Sequence, residues 1–198
     1  HEFAHGWVAR KFGDDTAEAA GRLTVNPIAH LDPFGSVLLL FTGFGWAKPV
    51  PINPARMRNP RQGVIWTSLA GPLSNLLAAL VGIILLQVEV PFLNQHLDNV
   101  VLYGIYYFLQ GFVSINISLA VFNLIPIPPL DGSKVLMMLL PYRQSMWMQQ
   151  RQQMLSILLW ILILIGILST PLSWISGWIM KFFILITNWI GTLIQMVL

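Results

Sequence analysis

Two long runs of apolar positions along the chain contain no charged residue. They cover residues 64–88, VIWTSLAGPLSNLLAALVGIILLQV, and residues 101–130. A helix needs about 20 consecutive apolar residues to cross the hydrocarbon core of a bilayer. Both runs therefore predict transmembrane helices.

A third uncharged run extends from residue 154 to residue 180. Thr170-Pro171 lies inside this run and favours a break in the helix at that point. We therefore predict two further spans, one over about 154–170 and one over about 173–197. Lys181 falls in the last span and is expected to reach toward an interface.

The region between residues 23 and 54 has a different pattern. Residues 34–47, FGSVLLLFTGFGWA, are apolar but too short for a full span, which favours a re-entrant or interfacial segment. In AKPVPINP the prolines at 49, 51 and 54 alternate with Val50 and Ile52, as in an extended segment at a sheet edge. We expect a short re-entrant sheet that receives an unwound substrate strand; a plain linker is the alternative.

Composition supports a membrane protein and excludes other classes. Of the 198 residues, 56% are hydrophobic and 10% are charged, and the mean hydropathy is +0.68, whereas soluble domains have about 25% charged residues. The net charge of +3 is small and its basic residues are scattered, which argues against a nucleic-acid partner. The chain has no cysteine, so any metal must be held by His, Asp or Glu. The predicted fold class is an all-α polytopic membrane protein, a transmembrane helix bundle with the short re-entrant β segment.

The distribution of charges predicts how the helices are oriented. The loop 89–100 has no Lys or Arg, whereas seven basic residues precede the helix at 64: Arg10, Lys11, Arg22, Lys48, Arg56, Arg58 and Arg61. By the positive-inside rule, residues 9–63 face the cytoplasm and residues 89–100 face outward. His1 lies nine residues before Arg10, about 13 Å along a helix. It is therefore expected within the membrane on the cytoplasmic side.

The first five residues, HEFAH, have the spacing of a zinc site. On a helix His1 and His5 share a face, so both imidazoles can reach one metal ion. Glu2 lies beside that face, where a carboxylate can take a proton from an activated water. The alternatives are a chance match or a zinc site without activity.

The carboxylate of Asp131 is expected at membrane depth, where it requires a binding partner. Thirty uncharged residues precede it, and three prolines in LIPIPPLDG break the helix just before it. An ionisable group inside a membrane indicates a functional site by default. Asp131 can supply the third ligand, because two histidines and a carboxylate form a catalytic zinc set. Alone, it would equally suit a turn before Gly132.

Three other residues qualify by type as metal ligands. Glu18 lies in a charged segment and is better interpreted as a solvated side chain. His30 and Asp32 lie in NPIAHLDP, whose Asn-Pro and Asp-Pro pairs favour turns. We expect His30 to support that loop rather than to bind zinc.

HEFAH followed by LIPIPPLDG more than a hundred residues later resembles the site-2 protease family of intramembrane zinc metalloproteases, peptidase family M50. The stretches GRLTVNPIAHLDPFG, FGWAKPVPINP and LAGPLSNLLAA also resemble its compact prokaryotic members. The resemblance covers about residues 1–140, which we predict as an N-terminally truncated metalloprotease core. Residues 141–198 are predicted to add C-terminal transmembrane helices. The sequence contains no recognisable PDZ or CBS domain.

The resemblance implies a role for each matching residue. His1, His5 and Asp131 match the ligands of Zn²⁺, and Glu2 matches the general acid and base. Asn123 matches the family's asparagine beside the metal, whose amide would stabilise the oxyanion. A hydrogen bond between helices is the other interpretation of Asn123.

These predictions describe a multi-pass protein of a prokaryotic inner or plasma membrane, in contact with the lipid bilayer, with its active site toward the cytoplasmic side. It would cut peptide bonds in or near the transmembrane segments of membrane-protein substrates. Two alternatives stay open. A metal-ion transporter also uses buried polar residues, and a catalytically inactive relative would only bind membrane proteins.

Overall fold

The computed structural model describes residues 1–42, 45–96 and 98–197, and these residues form helices joined by loops. Two short 3-10 helices, Pro27–His30 and Pro54–Arg56, lie in the loops before and after the helix Pro33–Thr42. The α-helices are α1 Glu2–Lys11, α2 Thr16–Ala19, α3 Pro33–Thr42, α4 Pro60–Gln95, α5 Val100–Asn123, α6 Asp131–Leu139, α7 Tyr142–Gln150, α8 Gln152–Leu164 and α9 Ser169–Val197.

Helices α4, α5 and α9 are long and apolar enough to cross a membrane. They pack on one another around a core of small and branched side chains: Ala79, Ile83, Val113, Ile117 and Val121. A Cβ on Gly82 would lie 2.7 Å from Val113 Cγ2, so this glycine allows α4 and α5 to approach closely. The predicted helix bundle with apolar helices long enough to span a membrane is confirmed for the described residues.

The long helix α4 differs from its predicted range at both ends. Asn59 caps its start, with the side chain accepting a hydrogen bond from the Gln62 amide and Pro60 in the first turn. At the other end the helix continues through Glu89 and Pro91, so the predicted loop 89–100 is reduced to the short connection before α5. Glu89 thus lies inside α4, and its side chain is buried.

The last two helices are separated earlier than predicted. The break lies at residues 165–168, where Gly166 has a positive φ of 78°, a conformation that glycine adopts without steric cost. Pro171 falls in the first turn of α9, where a proline is tolerated. As a result α8 has only 13 residues, about 20 Å at the helical rise, and is shorter than the predicted span.

The expected re-entrant sheet is wrong for the residues that the structure describes. These residues contain no strand, only an isolated antiparallel bridge between Leu31 and Ala47. In the extended segment that follows, side chains bind the backbone groups that a sheet would use. Glu2 accepts the amide of Val50, and Asp14 accepts the amide of Asn53. Residues 33–42 form helix α3, and residues 43 and 44 of the predicted segment 34–47 lie outside the described residues.

Helix α4 brings distant parts of the chain to one place. Helices α1 and α6 both pack on its first half, although about 120 residues separate them along the chain. Arg61 Nε donates to the Met138 carbonyl at 2.9 Å and ties the start of α4 to the end of α6. The first turn of α1 and the first turn of α6 therefore meet against α4.

Candidate metal centre

The two histidines of α1 converge on one oxygen of Asp131. The Nε2 atoms of His1 and His5 each lie 3.2 Å from Asp131 Oδ2. The imidazole rings stand nearly perpendicular, at 83°, with their centroids 4.6 Å apart. His5 and Asp131 are buried, and His1 is partly buried. The predicted meeting of α1 with the aspartate of the proline-broken segment is therefore found.

The distances from the two imidazole nitrogens to the carboxylate oxygen fit a tetrahedral zinc ion. Ligand atoms at about 2.0–2.1 Å from a tetrahedral zinc are separated by about 3.3 Å. The two nitrogen-to-oxygen distances of 3.2 Å match that separation. His1, Glu2 and His5 also each offer a ligand atom, and these atoms lie within 4.8 Å of one another.

The hydrogen bond on the far side of His5 indicates which nitrogen faces the metal. His5 Nδ1 lies 2.6 Å from the backbone carbonyl oxygen of Thr67. A carbonyl only accepts hydrogen bonds, so this contact assigns a proton to Nδ1. In a neutral imidazole Nε2 then carries the lone pair that binds a cation. Such a bond behind a histidine is typical of metal ligands.

Lys134 holds the other oxygen of the aspartate. Its ammonium donates to Asp131 Oδ1 at 2.9 Å, which leaves Oδ2 for the histidines. Asp131 lies outside the three apolar spans. Burial opposes its ionisation, but the neighbouring side chains of His5 and Lys134 lower the pKa of the carboxyl below its usual value. The carboxylate is thus kept in the form that binds a metal.

Gly71 on α4 forms the wall of the site behind the imidazoles. A Cβ at this position would lie 2.5 Å from the Nε2 atoms of both His1 and His5. No side chain fits there while the two nitrogens keep their positions. The absence of a side chain therefore leaves room for the donor atoms on the face of the longest helix.

Glu2 is positioned by a backbone amide rather than by another side chain. Its Oε2 accepts a hydrogen bond from the Val50 amide at 3.0 Å, and Val50 itself is buried. The bond joins residues that are 48 positions apart. This second carboxylate of the centre is therefore fixed by the loop that follows α3.

The remaining candidates have other partners. Asn123 ends α5, and its side-chain amide donates to the Leu119 carbonyl at 2.9 Å in the same helix. Glu18 pairs with Arg10 at 2.8 Å on the surface. His30 Nε2 lies 2.8 Å from the Thr24 carbonyl, and Asp32 accepts the Gly35 amide. The contact of His30 is the loop-supporting one that was expected for it, and the oxyanion role of Asn123 stays a prediction.

Four contributions to the centre are not in the sequence prediction. Lys134 follows Asp131 by three residues, and that helical spacing is a readable signal. Gly71 lies in LAGPLSN, a stretch noted only for its resemblance. The Thr67 carbonyl and the Val50 amide are backbone groups: every residue type offers a carbonyl, and every type except proline offers an amide N–H. They leave no signal in the sequence.

Comparisons with known proteins agree with this geometry. The model of peptidase family M50 matches residues 1–167. "Putative zinc metalloprotease YwhC" of Bacillus subtilis is 45% identical over 141 residues, 71% of this chain and 64% of that protein. "Putative zinc metalloprotease MJ0611" of Methanocaldococcus jannaschii is 37% identical over 138 residues, 69% of this chain and 62% of that protein.

"Putative zinc metalloprotease Rip2" of Mycolicibacterium smegmatis is 34% identical over 137 residues, which cover 67% of this chain and 49% of that protein. The chain thus spans about half to two thirds of the length of these relatives. No solved structure matches it significantly. The division of the chain at residue 140 stays a prediction.

Proposed function

The chain belongs to peptidase family M50, and from that membership we propose that it is a zinc metalloprotease of membrane-protein substrates. The observation that carries the proposal is the convergence of His1, His5 and Asp131, with Glu2 beside them. A donor set of two imidazoles and one carboxylate leaves the fourth position of a tetrahedral zinc open, as catalysis requires.

His1, His5 and Asp131 are proposed to hold the zinc ion. Once bound, zinc supplies Lewis-acid activation of a water molecule and of the scissile carbonyl. The Thr67 carbonyl and Lys134 keep two of the ligands in their orientation. Partners of this kind orient metal ligands and strengthen binding.

Glu2 is proposed as the general base and then the general acid. It accepts the proton of the attacking water on its carboxylate and returns that proton to the amine of the departing peptide. The Val50 amide binds Oε2. Within the described residues nothing donates to Oε1, so this oxygen is free to take up the proton.

Asn123 is proposed as the donor to the oxyanion that forms at the substrate carbonyl. The side-chain amide of Asn123 donates one N–H to the Leu119 carbonyl, and its second N–H is left to donate to an oxyanion. Removal of an oxyanion donor typically lowers kcat by about 100- to 1,000-fold. Asn123→Ala tests this role beside Asn116→Ala, because Asn116 lies two turns earlier on the same face of α5.

The substrate is proposed to be a transmembrane helix that is cut near its cytoplasmic end. Three apolar helices support a location in the membrane. Basic residues precede α4, and no Lys or Arg lies between α4 and α5, which supports a cytoplasmic position for the centre in a multi-pass protein of the cell membrane. Both the orientation and the class of substrate belong to the proposal.

Cleavage by the full chain tests the proposed function. The protein in detergent with zinc is incubated with candidate single-span membrane proteins, beside its Glu2→Gln form. Wild type should release a cut product, and Glu2→Gln should retain zinc without releasing it. A different result would contradict the proposal: the protein cuts no substrate, and it transports zinc into vesicles equally well with and without Glu2→Gln. The protein would then be a zinc transporter rather than a protease.

A further inference from the structure

Two carboxylates outside the three apolar spans bind the amides of one loop segment. We name this segment, residues 48–53, the strap. Glu2 Oε2 accepts the Val50 amide at 3.0 Å, and Asp14 Oδ2 accepts the Asn53 amide at 2.6 Å. The first carboxylate belongs to the metal centre, and the second follows the opposite end of α1. The strap therefore runs along α1 and is fixed at both ends of that helix.

Asp14 is fully buried, with no exposed side-chain surface. Its Oδ1 accepts hydrogen bonds from the amide and the hydroxyl of Thr16, and its Oδ2 accepts the strap amide. A buried carboxylate is costly unless hydrogen bonds satisfy it. Asp14 thus requires the strap to be in place, and it has no direct contact with the donor atoms of the metal centre.

Arg22 anchors the start of the strap. Its guanidinium donates to the carbonyl oxygens of Ala29 at 2.5 Å and Lys48 at 2.6 Å, and more weakly to that of Pro49 at 3.4 Å. A guanidinium presents several donors in a rigid plane, so one side chain holds two backbone segments in register. The Lys48 amide also donates to the His30 carbonyl at 2.8 Å.

The prolines of the strap leave a single donor for Glu2. Pro49 and Pro51 have no N–H, so Val50 carries the only amide hydrogen between residues 49 and 51. The Val50 side chain is buried against α1, where a Cβ on Gly6 would lie 3.2 Å from Val50 Cγ1. If the strap shifted by one residue, a proline without an N–H would lie opposite Glu2, and the hydrogen bond to the carboxylate would be lost.

We propose that Asp14 and Arg22 are positioning residues for Glu2: they hold the strap so that the Val50 amide fixes the carboxylate of the general base. The inference rests on the proposed function for its catalytic consequence. A base displaced by about 1 Å costs up to about 100-fold in rate. Loss of either anchor should therefore lower kcat, while zinc binding, which uses other atoms, is retained.

Hydrogen exchange tests the anchor without any need for activity. Asp14→Asn places an NH2 group against either the Asn53 amide or Thr16, so one bond is lost. We expect amide exchange at Val50 and Asn53 to accelerate about tenfold or more. The matched control is Asp15→Asn, because Asp15 is exposed and pairs with Arg56 at the surface. Equal protection of both amides in Asp14→Asn and Asp15→Asn would overturn the proposal.

The kinetic test separates positioning from folding. Val50→Pro removes the amide and Val50→Ala retains it, so kcat should be about 10- to 100-fold lower in Val50→Pro than in Val50→Ala, with similar KM and zinc content. Arg22→Gln should lower kcat in the same way and provides a second anchor variant if Asp14→Asn does not fold.

The two proposals fail in different ways. If wild type cuts no substrate but exchange at Val50 responds to Asp14→Asn and to Glu2→Ala, the proposed function fails and the anchor stands. If wild type is active and Val50→Pro, Arg22→Gln and Asp14→Asn all keep its kcat, the strap does not position the base.

Discussion

Gly71→Ala should disrupt the metal centre from the helix behind it. The added methyl carbon would lie 2.5 Å from the Nε2 atoms of His1 and His5, whereas ordinary contacts of a Cβ begin at 3.4 Å. The difference, 3.4 minus 2.5, requires a displacement of about 0.9 Å. Zinc-ligand distances tolerate about 0.2 Å. At least one imidazole must therefore leave the ligand position, and zinc affinity should fall by about 100-fold or more.

Competition with a chromophoric zinc chelator, on protein in detergent micelles, measures this loss. Gly111→Ala on α5 is the matched control, because a Cβ there meets no atom within 4 Å, and a transmembrane alanine does not weaken the helix. It should bind zinc as wild type does. Wild-type zinc affinity in Gly71→Ala would refute the placement of α4 behind the histidines.

Three further predictions concern other atoms of the centre. Lys134→Met frees Asp131 Oδ1 and should lower the affinity for zinc by about 10- to 100-fold, as measured by chelator competition. An unchanged dissociation constant for zinc would contradict a role of Lys134 in orienting Asp131. Asp131→Asn removes the charge of the third ligand and should lower zinc affinity more than Lys134→Met does; the reverse order would be inconsistent with direct binding. Zinc removal should lower the thermal unfolding temperature of wild type, because a ligand at 100 times its Kd stabilises the folded state by about 2.7 kcal/mol. The unfolding temperature of His5→Ala should not change when zinc is removed. An equal decrease in both proteins would place the zinc elsewhere.

The meeting of His1, His5 and Asp131 could be predicted from the sequence, because residue type and spacing indicate it. The spacing of His1 and His5 puts two imidazoles on one helical face. Asp131, after thirty uncharged residues, needs a partner at the same depth. Neither fact depends on the details of packing, and the distances of 3.2 Å agree with both.

The loop that precedes α4 could not be predicted in the same way. Alternating prolines indicate an extended backbone, and Val50 and Asn53 do lie in such a segment. Their amides are bound by Glu2 and Asp14 rather than by a neighbouring strand. Which acceptor an amide finds depends on tertiary packing, because carboxylates compete with backbone carbonyls for the same donor. Proline replacement of Val50 therefore reports on Glu2 rather than on pairing at a sheet edge.

Helix ends were mispredicted for a related reason. Glu89 suggested the end of α4 because a charge in a membrane is costly, yet the helix continues for six more residues to Gln95. Pro171 suggested a break, yet it lies in the first turn of α9, where no backbone hydrogen bond is lost. In both cases the effect of the residue on the helix depends on its position within that helix. The break between α8 and α9 lies at Gly166 instead.

X-ray absorption at the zinc edge of the loaded protein tests the central claim most directly. The account predicts a four-coordinate ion with two imidazole nitrogens at about 2.0–2.1 Å and oxygen ligands completing the shell. His5→Ala should remove one imidazole from that shell, whereas His30→Ala should leave both. A spectrum without two imidazoles in wild type, or one that His5→Ala does not change, would contradict the binding of zinc by the start of α1 and Asp131.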